Sequence, residues 1–199
     1  MSDLSKALNS AKVALQIELD ALNSFAKNLD SKIEVALKLL VEVKGRVIIT
    51  GLGKSGLVGA KIAATLSSTG TPAQFIHSVD ALHGDSGAIQ SSDLVIAISN
   101  SGETAEVVAF AQMAKQWGNK VIAITSKFNS TLAKLADTNI DIAFAKEADP
   151  NGLAPTTSTT LTIALGDALA AALVTYKNFS PSDFGKRHPG GALGKQSNK

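Results

Sequence analysis

Cysteine is absent from the sequence. Disulfides, thiol chemistry and a cysteine-ligated zinc site are therefore excluded. An excess of either charge is also missing: 19 Lys and Arg residues stand against 17 Asp and Glu, a net charge of +2, and the basic residues are scattered. Because nucleic-acid binding depends on a concentrated positive face, this distribution argues against nucleic acid as a partner.

Targeting and membrane segments are not recognisable either. The start, Met1 to Ser5, lacks the basic and apolar regions of a signal peptide. The apolar run Ala168 to Val174 is far shorter than the roughly 20 residues of a membrane span. We therefore expect a cytoplasmic protein without a membrane contact. A chain of 199 residues that is 45% hydrophobic can bury one substantial core, which predicts a single domain over residues 1–199.

The N-terminal segment, residues 1–45, is predicted to be helical. Between Leu4 and Leu29, apolar residues recur every three or four positions, as in one long amphipathic helix. Ser31 and Glu34 then have the spacing of a capping box, which predicts the start of a second helix. The long first helix fits packing on its own domain and contact with another subunit equally well, so a homo-oligomer is one expectation.

Short apolar strands alternate with helices in the remainder of the chain. Gly70 and Gly118 lie where helix C-caps are expected. This alternation predicts a doubly wound, flavodoxin-like α/β fold with five parallel strands between helical layers. The predicted strands are 46–50, 73–77, 93–99, 120–125 and 140–145, and the predicted helices are 55–68, 103–117, 130–136 and 156–176.

Two strand-to-helix turns have the composition of phosphate-binding sites. The first contains Lys54 and Ser55, and the second runs from Ser99 to Thr104 and includes Asn100, Ser101 and Glu103. Unpaired backbone N–H groups and the dipole at a helix start favour an anion, and small hydroxyl side chains add donors. We expect Ser99, Ser101 and Thr104 to bind phosphate. The alternative is that these hydroxyls only cap the helix.

Two better-known nucleotide motifs do not fit the first turn. A P-loop requires glycine five residues before Gly53, where this chain has Ile48. The spacing Gly51-x-Gly53-x-x-Gly56 matches a dinucleotide fingerprint, but no acid follows the second strand until Asp80. No nucleotide cofactor is therefore expected.

Several blocks in a fixed order resemble the sugar-isomerase (SIS) domain of bacterial arabinose-5-phosphate isomerases, over nearly the whole chain. Asp149 and Ser78 depart from that pattern, which usually has Cys and Pro there, and the chain ends where most members continue into paired CBS modules. We accordingly expect a SIS domain without CBS modules. The matching blocks are Gly51 to Gly56, Ser68 to Pro72, His83 to Asp85, Ser99 to Thr104, Gly152 to Thr156 and Arg187 to Gly194.

This resemblance implies an enzyme that interconverts D-arabinose 5-phosphate and D-ribulose 5-phosphate. Such an activity would supply a precursor of Kdo for lipopolysaccharide or capsule, need no cofactor, and reside in a tetramer. It also implies catalytic roles for carboxylates at Glu103 and Glu147 and for His188. Other sugar phosphates as substrates, or a sensor without catalysis, are the alternatives.

The residues themselves suggest how these roles divide. An imidazole has a pKa near neutrality, so His188 is our candidate for the C1–C2 acid/base. Glu147 needs partial burial to act as a second acid/base, and Glu103, placed by the pattern in the first turn of a helix, is expected to orient hydroxyls. Lys54 would polarise a substrate oxygen, and His83 would assist ring opening.

Metal binding is a weaker interpretation of the histidines. His77, His83 and Asp85 carry groups that suit zinc, although they lack a fixed helical spacing. We expect no required metal, but an inhibitory ion held among His77, His83 and His188. The polar, Gly-rich tail from Phe184 to Gly194 is predicted to form no regular element and to be either disordered or docked on a neighbouring subunit.

Overall fold

The computed structural model describes residues 3–191 and 194. Eight α-helices, five strands and a short 3₁₀ helix at Asp85–Ala88 make up this part of the chain. The strands are β1 (Val47–Gly51), β2 (Ala73–Phe75), β3 (Leu94–Ile98), β4 (Lys120–Thr125) and β5 (Thr138–Asp141). The helices are α1 (Asp3–Ala26), α2 (Leu29–Glu42), α3 (Gly53–Ser68), α4 (Ser78–Leu82), α5 (Ala105–Gln116), α6 (Thr131–Leu135), α7 (Thr157–Tyr176) and α8 (Pro181–Arg187).

All five strands are parallel, in the order β2-β1-β3-β4-β5. Helices cover both faces, and successive side chains of a strand enter opposite layers. In β1, Ile49 packs with the layer formed by α1, α2, α3 and α7, whereas Ile48 packs with the layer formed by α4, α5 and α6. The doubly wound α/β fold predicted from the alternating pattern is confirmed.

α7 is the central helix of the first layer. Leu161, Leu165, Leu169 and Leu173 are spaced four residues apart and are buried. By length and composition α7 could cross a membrane, yet half of its most apolar stretch is buried, and a core helix passes the same test. The helix therefore belongs to the domain core, where it packs on α1, α2 and α3.

The first helix is only partly used by the core. α1 ends at Ala26, so Leu29 begins α2 instead of completing α1 as predicted. Phe25 is buried, but Leu4, Leu8, Leu15 and Leu19 on the same predicted apolar face are 80%, 57%, 64% and 52% exposed. Most of this face is therefore not covered within one subunit.

Several predicted boundaries are wrong. α2 starts at Leu29 with Asn28 as N-cap, so the capping box predicted from Ser31 does not start it. β5 was predicted at 140–145 but spans Thr138–Asp141, and the Asp141 side chain accepts the N–H of Ala143 where the strand ends. Helix starts and strand ends depend on such local contacts, which periodicity does not encode.

The first four residues of the predicted tail, 184–187, belong to the helix α8, contrary to the prediction of no regular element. Ser180 and Asp183 make a reciprocal capping box at the start of α8, and Pro181 occupies its first turn. The Ser180 hydroxyl and backbone N–H donate to Asp183 and lower the pKa of that carboxyl to about 2. Ala192 and Leu193 of the predicted tail lie outside the described residues. Gly70 and Gly118 do follow helix ends with positive φ angles, as predicted.

Candidate functional site

The two turns predicted to bind phosphate come together at the reversal of the strand order. β1 lies between β2 and β3, so the chain leaves β1 toward one side of the sheet and the later strands extend toward the other. The β1–α3 and β3–α5 turns follow the carboxyl ends of adjacent strands at this switch point. Ligands of doubly wound sheets bind in the crevice that such turns create.

The β3–α5 turn is held by its own hydroxyl groups. The buried Ser99 side chain accepts the Gly102 N–H at 3.1 Å and lies 2.8 Å from the Thr104 hydroxyl. Gly102 has a φ of +67°, and an added Cβ would lie 2.1 Å from the Ser130 Oγ atom. Ser99 therefore shapes the turn from inside, and only glycine fits at position 102.

The outer residues of this turn remain open to a ligand. Thr104 is the N-cap of α5, yet its side chain makes no capping bond, so the first N–H groups of the helix lack this partner. Ser101 is exposed, and its hydroxyl accepts the Glu103 N–H at 3.2 Å while keeping its own hydrogen. The Asn100 carbonyl is fixed by Ser126, whose backbone and hydroxyl both donate to it. The simple capping interpretation fails for Thr104, and an anion site is favoured.

The β1–α3 turn contributes the cation. Lys54 is exposed in the first turn of α3, and it lines an open cleft of about 460 Å³ with His77, Leu57 and Phe75. Gly56 lets α3 approach β1, because an added Cβ would lie 3.0 Å from the Gly51 carbonyl oxygen. Ser55 follows Lys54 in α3 and is half-buried.

Both oxygens of the Glu103 carboxylate are engaged. The Thr131 backbone N–H donates to Oε1 at 2.8 Å and the Thr131 hydroxyl donates to Oε2 at 2.7 Å. These two bonds, with the backbone bond contributing most, lower the pKa of Glu103. α5 begins at Ala105, so the prediction that Glu103 lies in the first turn of that helix is wrong. Its contacts are to the start of α6 instead.

Within the described part of the chain, only one oxygen of Glu147 accepts hydrogen bonds. Thr156 donates to Oε2 from its backbone at 2.9 Å and from its hydroxyl at 3.2 Å, and the Ser158 N–H donates to the same atom at 3.1 Å. No described residue donates to Oε1. Glu147 lies in the loop after β5, not directly at the end of a strand as predicted, and is half-buried.

Glu147 opens onto a second cleft, of about 470 Å³. Its walls are residues 146–152 on one side and Asn9, Ser10, Val13 and Ile17 of α1 on the other. Asp149, at the departure from the SIS pattern, accepts the N–H groups of Leu153 and Ala154, which lower the pKa of its carboxyl. Asp149 therefore stabilises the loop that carries Glu147.

His188 is oriented by its own helix. Its ring stacks on Phe184 with centroids 3.8 Å apart, and Nδ1 lies 2.9 Å from the Phe184 carbonyl oxygen. Because a carbonyl only accepts, Nδ1 carries the hydrogen and Nε2 is the basic nitrogen of the neutral ring. These contacts lie within α8, and no contact joins His188 to Lys54 or Glu147 within the described chain.

The three histidines do not form a metal site in one subunit. Among residues 3–191 and 194, no three His, Asp or Glu side chains are grouped to hold an ion. His77 lies 3.9 Å from the Asp80 carboxylate, and His83 is exposed after α4. The expected inhibitory site at His77, His83 and His188 is therefore not assembled here.

Comparison with known proteins identifies the family. Residues 39–172 match the SIS domain. The chain belongs to the SIS domain family. It is 50% identical over 190 residues to the arabinose 5-phosphate isomerase KpsF of Escherichia coli CFT073, and 47% identical over 196 residues to the arabinose 5-phosphate isomerase KdsD of Pseudomonas aeruginosa PAO1. These matches cover 95% and 98% of this chain but only 58% and 60% of the relatives, so the chain spans under two thirds of their length.

A solved structure is similar to this SIS domain over nearly the whole of this chain. The structure of an E. coli CFT073 protein in complex with arabinose 5-phosphate superposes with a TM-score of 0.90 at 40% identity, covering 95% of this chain and 100% of that one. The fold and the order of the elements described above are therefore those of a SIS domain with a close structural relative.

Sequence reasoning missed two residues of the site. Thr131 and Thr156 stand at the starts of α6 and α7 and hold the carboxylates of Glu103 and Glu147. A threonine at a predicted helix start was the available signal. It suggests an N-cap, but it does not say which carboxylate the threonine binds.

Proposed function

We propose that this SIS domain is an aldose–ketose isomerase that interconverts D-arabinose 5-phosphate and D-ribulose 5-phosphate. The observation that carries the proposal is the open start of α5 in the Ser99–Thr104 turn, at the switch point of the sheet. A dianionic phosphate fits its unpaired N–H groups and the hydroxyls of Ser101 and Thr104. The named relatives and the sugar-phosphate complex of the E. coli structure support the choice of sugar.

The reaction transfers hydrogen between two neighbouring carbons. A base removes the proton from C2, and the electrons of that C–H bond form the C1–C2 double bond of an enediolate while the carbonyl oxygen takes negative charge. Protonation at C1 and transfer of the O2 proton to O1 then give the ketose, with C2 now the carbonyl carbon. A proton shuttle and a group that stabilises the oxyanion are sufficient for these steps.

We assign the proton shuttle to His188 and Glu147. His188 offers Nε2, and Glu147 offers Oε1, as the basic atoms that face no internal partner among the described residues. Lys54 places its ammonium group where it can polarise a substrate oxygen, and His83 assists ring opening. Glu103, with both oxygens engaged by Thr131, orients the phosphate turn and does not shuttle the proton.

The complete site requires a second subunit in this proposal. His188 is not among the described residues that line the Lys54 cleft of its own chain, and much of the apolar face of α1 is exposed. We propose that copies associate, as a tetramer, and that α8 of one copy brings His188 to the cleft of another. Location in the cytoplasm and a role in Kdo supply are part of the same proposal.

Turnover is the direct test of the proposal. The purified chain is incubated with arabinose 5-phosphate without added metal, and ribulose 5-phosphate is measured; product should form and should persist after exhaustive chelation. Loss of activity on chelation, restored by one specific ion, would contradict the metal-free mechanism.

Two alternatives give different results in the same assay. A hexulose or heptulose phosphate that turns over faster than arabinose 5-phosphate would keep the isomerase class but change the substrate. Binding of sugar phosphate without deuterium exchange at C2 would indicate a sensor. The 25%-identical NanR of Vibrio vulnificus, solved with ManNAc-6P at a TM-score of 0.73, has the same fold.

A further inference from the structure

The Thr156 hydroxyl joins the loop that carries Glu147 to the start of α7. Its Oγ1 atom lies 2.8 Å from the Ala148 nitrogen and 3.2 Å from the Asp149 nitrogen, and both N–H groups donate to it. These two bonds occupy the lone pairs of the hydroxyl, so its single hydrogen is available to an acceptor. Two acceptors lie within reach of this hydrogen, the Glu147 Oε2 atom at 3.2 Å and the Ala154 carbonyl oxygen at 3.3 Å, and the charged carboxylate is the stronger acceptor.

The backbone of α7 completes the hold on Glu147. The Thr156 and Ser158 N–H groups belong to the unpaired first turn of a 20-residue helix, and both point at Oε2. A carboxylate is favoured there by the helix dipole as well as by the bonds. Oε2 thereby faces three donors, whereas Oε1 has no donor among the described residues, and Glu147 lines the cleft beside α1.

Glu103, the other glutamate of the candidate site, is held in a different way. Thr131 also binds a glutamate with its N–H and its hydroxyl, but it uses one for each oxygen of Glu103. The same residue type thus immobilises both carboxylates, and of these two only Glu147 keeps an oxygen without a donor among the described residues. An oxygen that is free on an otherwise fixed carboxylate is what proton transfer to a bound substrate requires.

We propose that Thr156 is a positioning residue, whose hydroxyl holds Glu147 with Oε1 directed at the substrate. This inference rests on the proposed function. Thr156 itself contacts no reacting atom; it acts through Glu147 and through the loop from Ala148 to Asp149. Without the hydroxyl, the carboxylate loses one donor and the loop loses the acceptor of two N–H groups.

The test compares three threonine variants. Thr156→Val removes the hydroxyl at nearly constant volume and should lower kcat roughly 10- to 100-fold, the scale of a misplaced catalytic group, with KM within about twofold of wild type. Thr156→Ser should recover most of kcat. Thr159→Val is the matched control, because the Thr159 hydroxyl donates to the Thr156 carbonyl at 2.8 Å and makes no bond to Glu147. A folded Thr156→Val enzyme with wild-type kcat would overturn the proposal.

A double-mutant cycle separates positioning from general loss of structure. In a Glu147→Gln background, Thr156→Val should change kcat by less than about threefold, because the group it positions can no longer carry the proton. An equal fall in both backgrounds would overturn the proposal. Should Thr156→Val fail to fold, Thr156→Ala is carried through the same cycle.

A readout without turnover distinguishes this inference from the proposed function. The carboxyl ¹³C signal of Glu147 at neutral pH should move toward that of a solvent-exposed glutamate in Thr156→Val and stay in place in Thr159→Val. An unchanged signal in Thr156→Val overturns the positioning role. If the wild-type chain does not isomerise the sugar but the Glu147 signal still shifts in Thr156→Val, only the proposed function is contradicted.

Discussion

At the scale of single residues, the two glutamates of the site differ in the number of oxygens that are engaged. For Glu103, the consequence is that its contribution to the stability of the folded chain depends on pH. Thr131 lowers its pKa from the ordinary value of 4.5, so the ionised contact stabilises the folded chain above that value. The stabilisation is lost as the pH falls through the lowered pKa of the folded state. Glu103 is therefore expected to remain ionised throughout the pH range of activity.

Removing the hydroxyl donor of Thr131 should reverse the lowering of the Glu103 pKa in part. In Thr131→Val the hydroxyl bond is lost while the backbone bond stays, so the pKa of Glu103 should rise toward 4.5. An NMR titration of the side-chain carboxyls measures it. The pKa of Asp149, lowered by Leu153 and Ala154, is the internal control and should not move. An unchanged pKa of Glu103 would show that the Thr131 hydroxyl does not contribute to the shift.

Ser101 gives a second prediction at this scale. Ser101→Ala removes one hydroxyl donor from the proposed phosphate site and should raise KM for the sugar phosphate roughly 10-fold, since a hydrogen bond to a charged group contributes about 1.5–3 kcal/mol. Steady-state kinetics measures the change, and kcat should fall much less. Ser91→Ala, at an exposed serine on the opposite end of the sheet, is the control. A wild-type KM in Ser101→Ala would remove Ser101 from the site.

At the scale of elements, the crossing of α3 and α7 depends on one glycine. A Cβ on Gly166 would lie 2.4 Å from Cγ1 and 2.7 Å from Cδ1 of Ile62. Alanine has a higher helix propensity than glycine by about 1 kcal/mol, but overpacking of a core costs about 1–3 kcal/mol. The cost of overpacking is expected to exceed the gain in helix propensity, because Ile62 is itself buried between the helices.

Gly166→Ala should therefore lower the free energy of unfolding, measured by urea denaturation, in spite of the propensity gain. In the double variant with Ile62→Ala, the loss in free energy of unfolding should be smaller than the sum of the two single losses, because the side chain that clashes is gone. Gly87→Ala is the control, since a Cβ there meets nothing within 4 Å. Strict additivity would show that the clash is relieved elsewhere.

Elements were predictable from sequence to the extent that burial imposes a pattern. β1 and β3 are buried at every position, and this produces the apolar runs from which they were predicted. α8 was missed because its capping box is a contact between Ser180 and Asp183 in an otherwise polar segment. Glu103 and Thr131 are 28 residues apart, so their contact exists only once β4 and α6 are folded beside the turn. Local composition predicts a phosphate-binding turn, but it does not reveal that Thr131 is the partner of Glu103.

At the scale of the whole molecule, the exposed face of α1 predicts association. Leu8 and Leu15 lie on this face, and they are 57% and 64% exposed in the single subunit. Several exposed leucines on one helix face are typical of an interaction surface. Light scattering should detect an oligomer for the wild-type chain, and the double variant Leu8→Glu, Leu15→Glu should dissociate it. A wild-type monomer at working concentration would contradict the shared site.

Subunit mixing tests whether His188 serves another copy. The variants His188→Ala and Lys54→Ala should each be nearly inactive, with kcat lowered roughly 100-fold or more for the acid/base. After joint denaturation and refolding, mixed oligomers contain some sites with both groups intact, and activity should reappear. Each variant refolded alone is the control. Mixed oligomers that remain inactive would place both groups on one chain.

The two outermost strands of the sheet limit how such copies can meet. β2 has three residues and β5 has four, and each has one side without a neighbouring strand among the described residues. Strands this short expose few backbone groups for pairing with a foreign chain, which is a recognised protection against edge-to-edge aggregation. Continuous sheets across subunits are therefore disfavoured for this chain. Association of its copies is therefore expected to use helix surfaces, whose side chains, unlike a backbone ladder, select the partner.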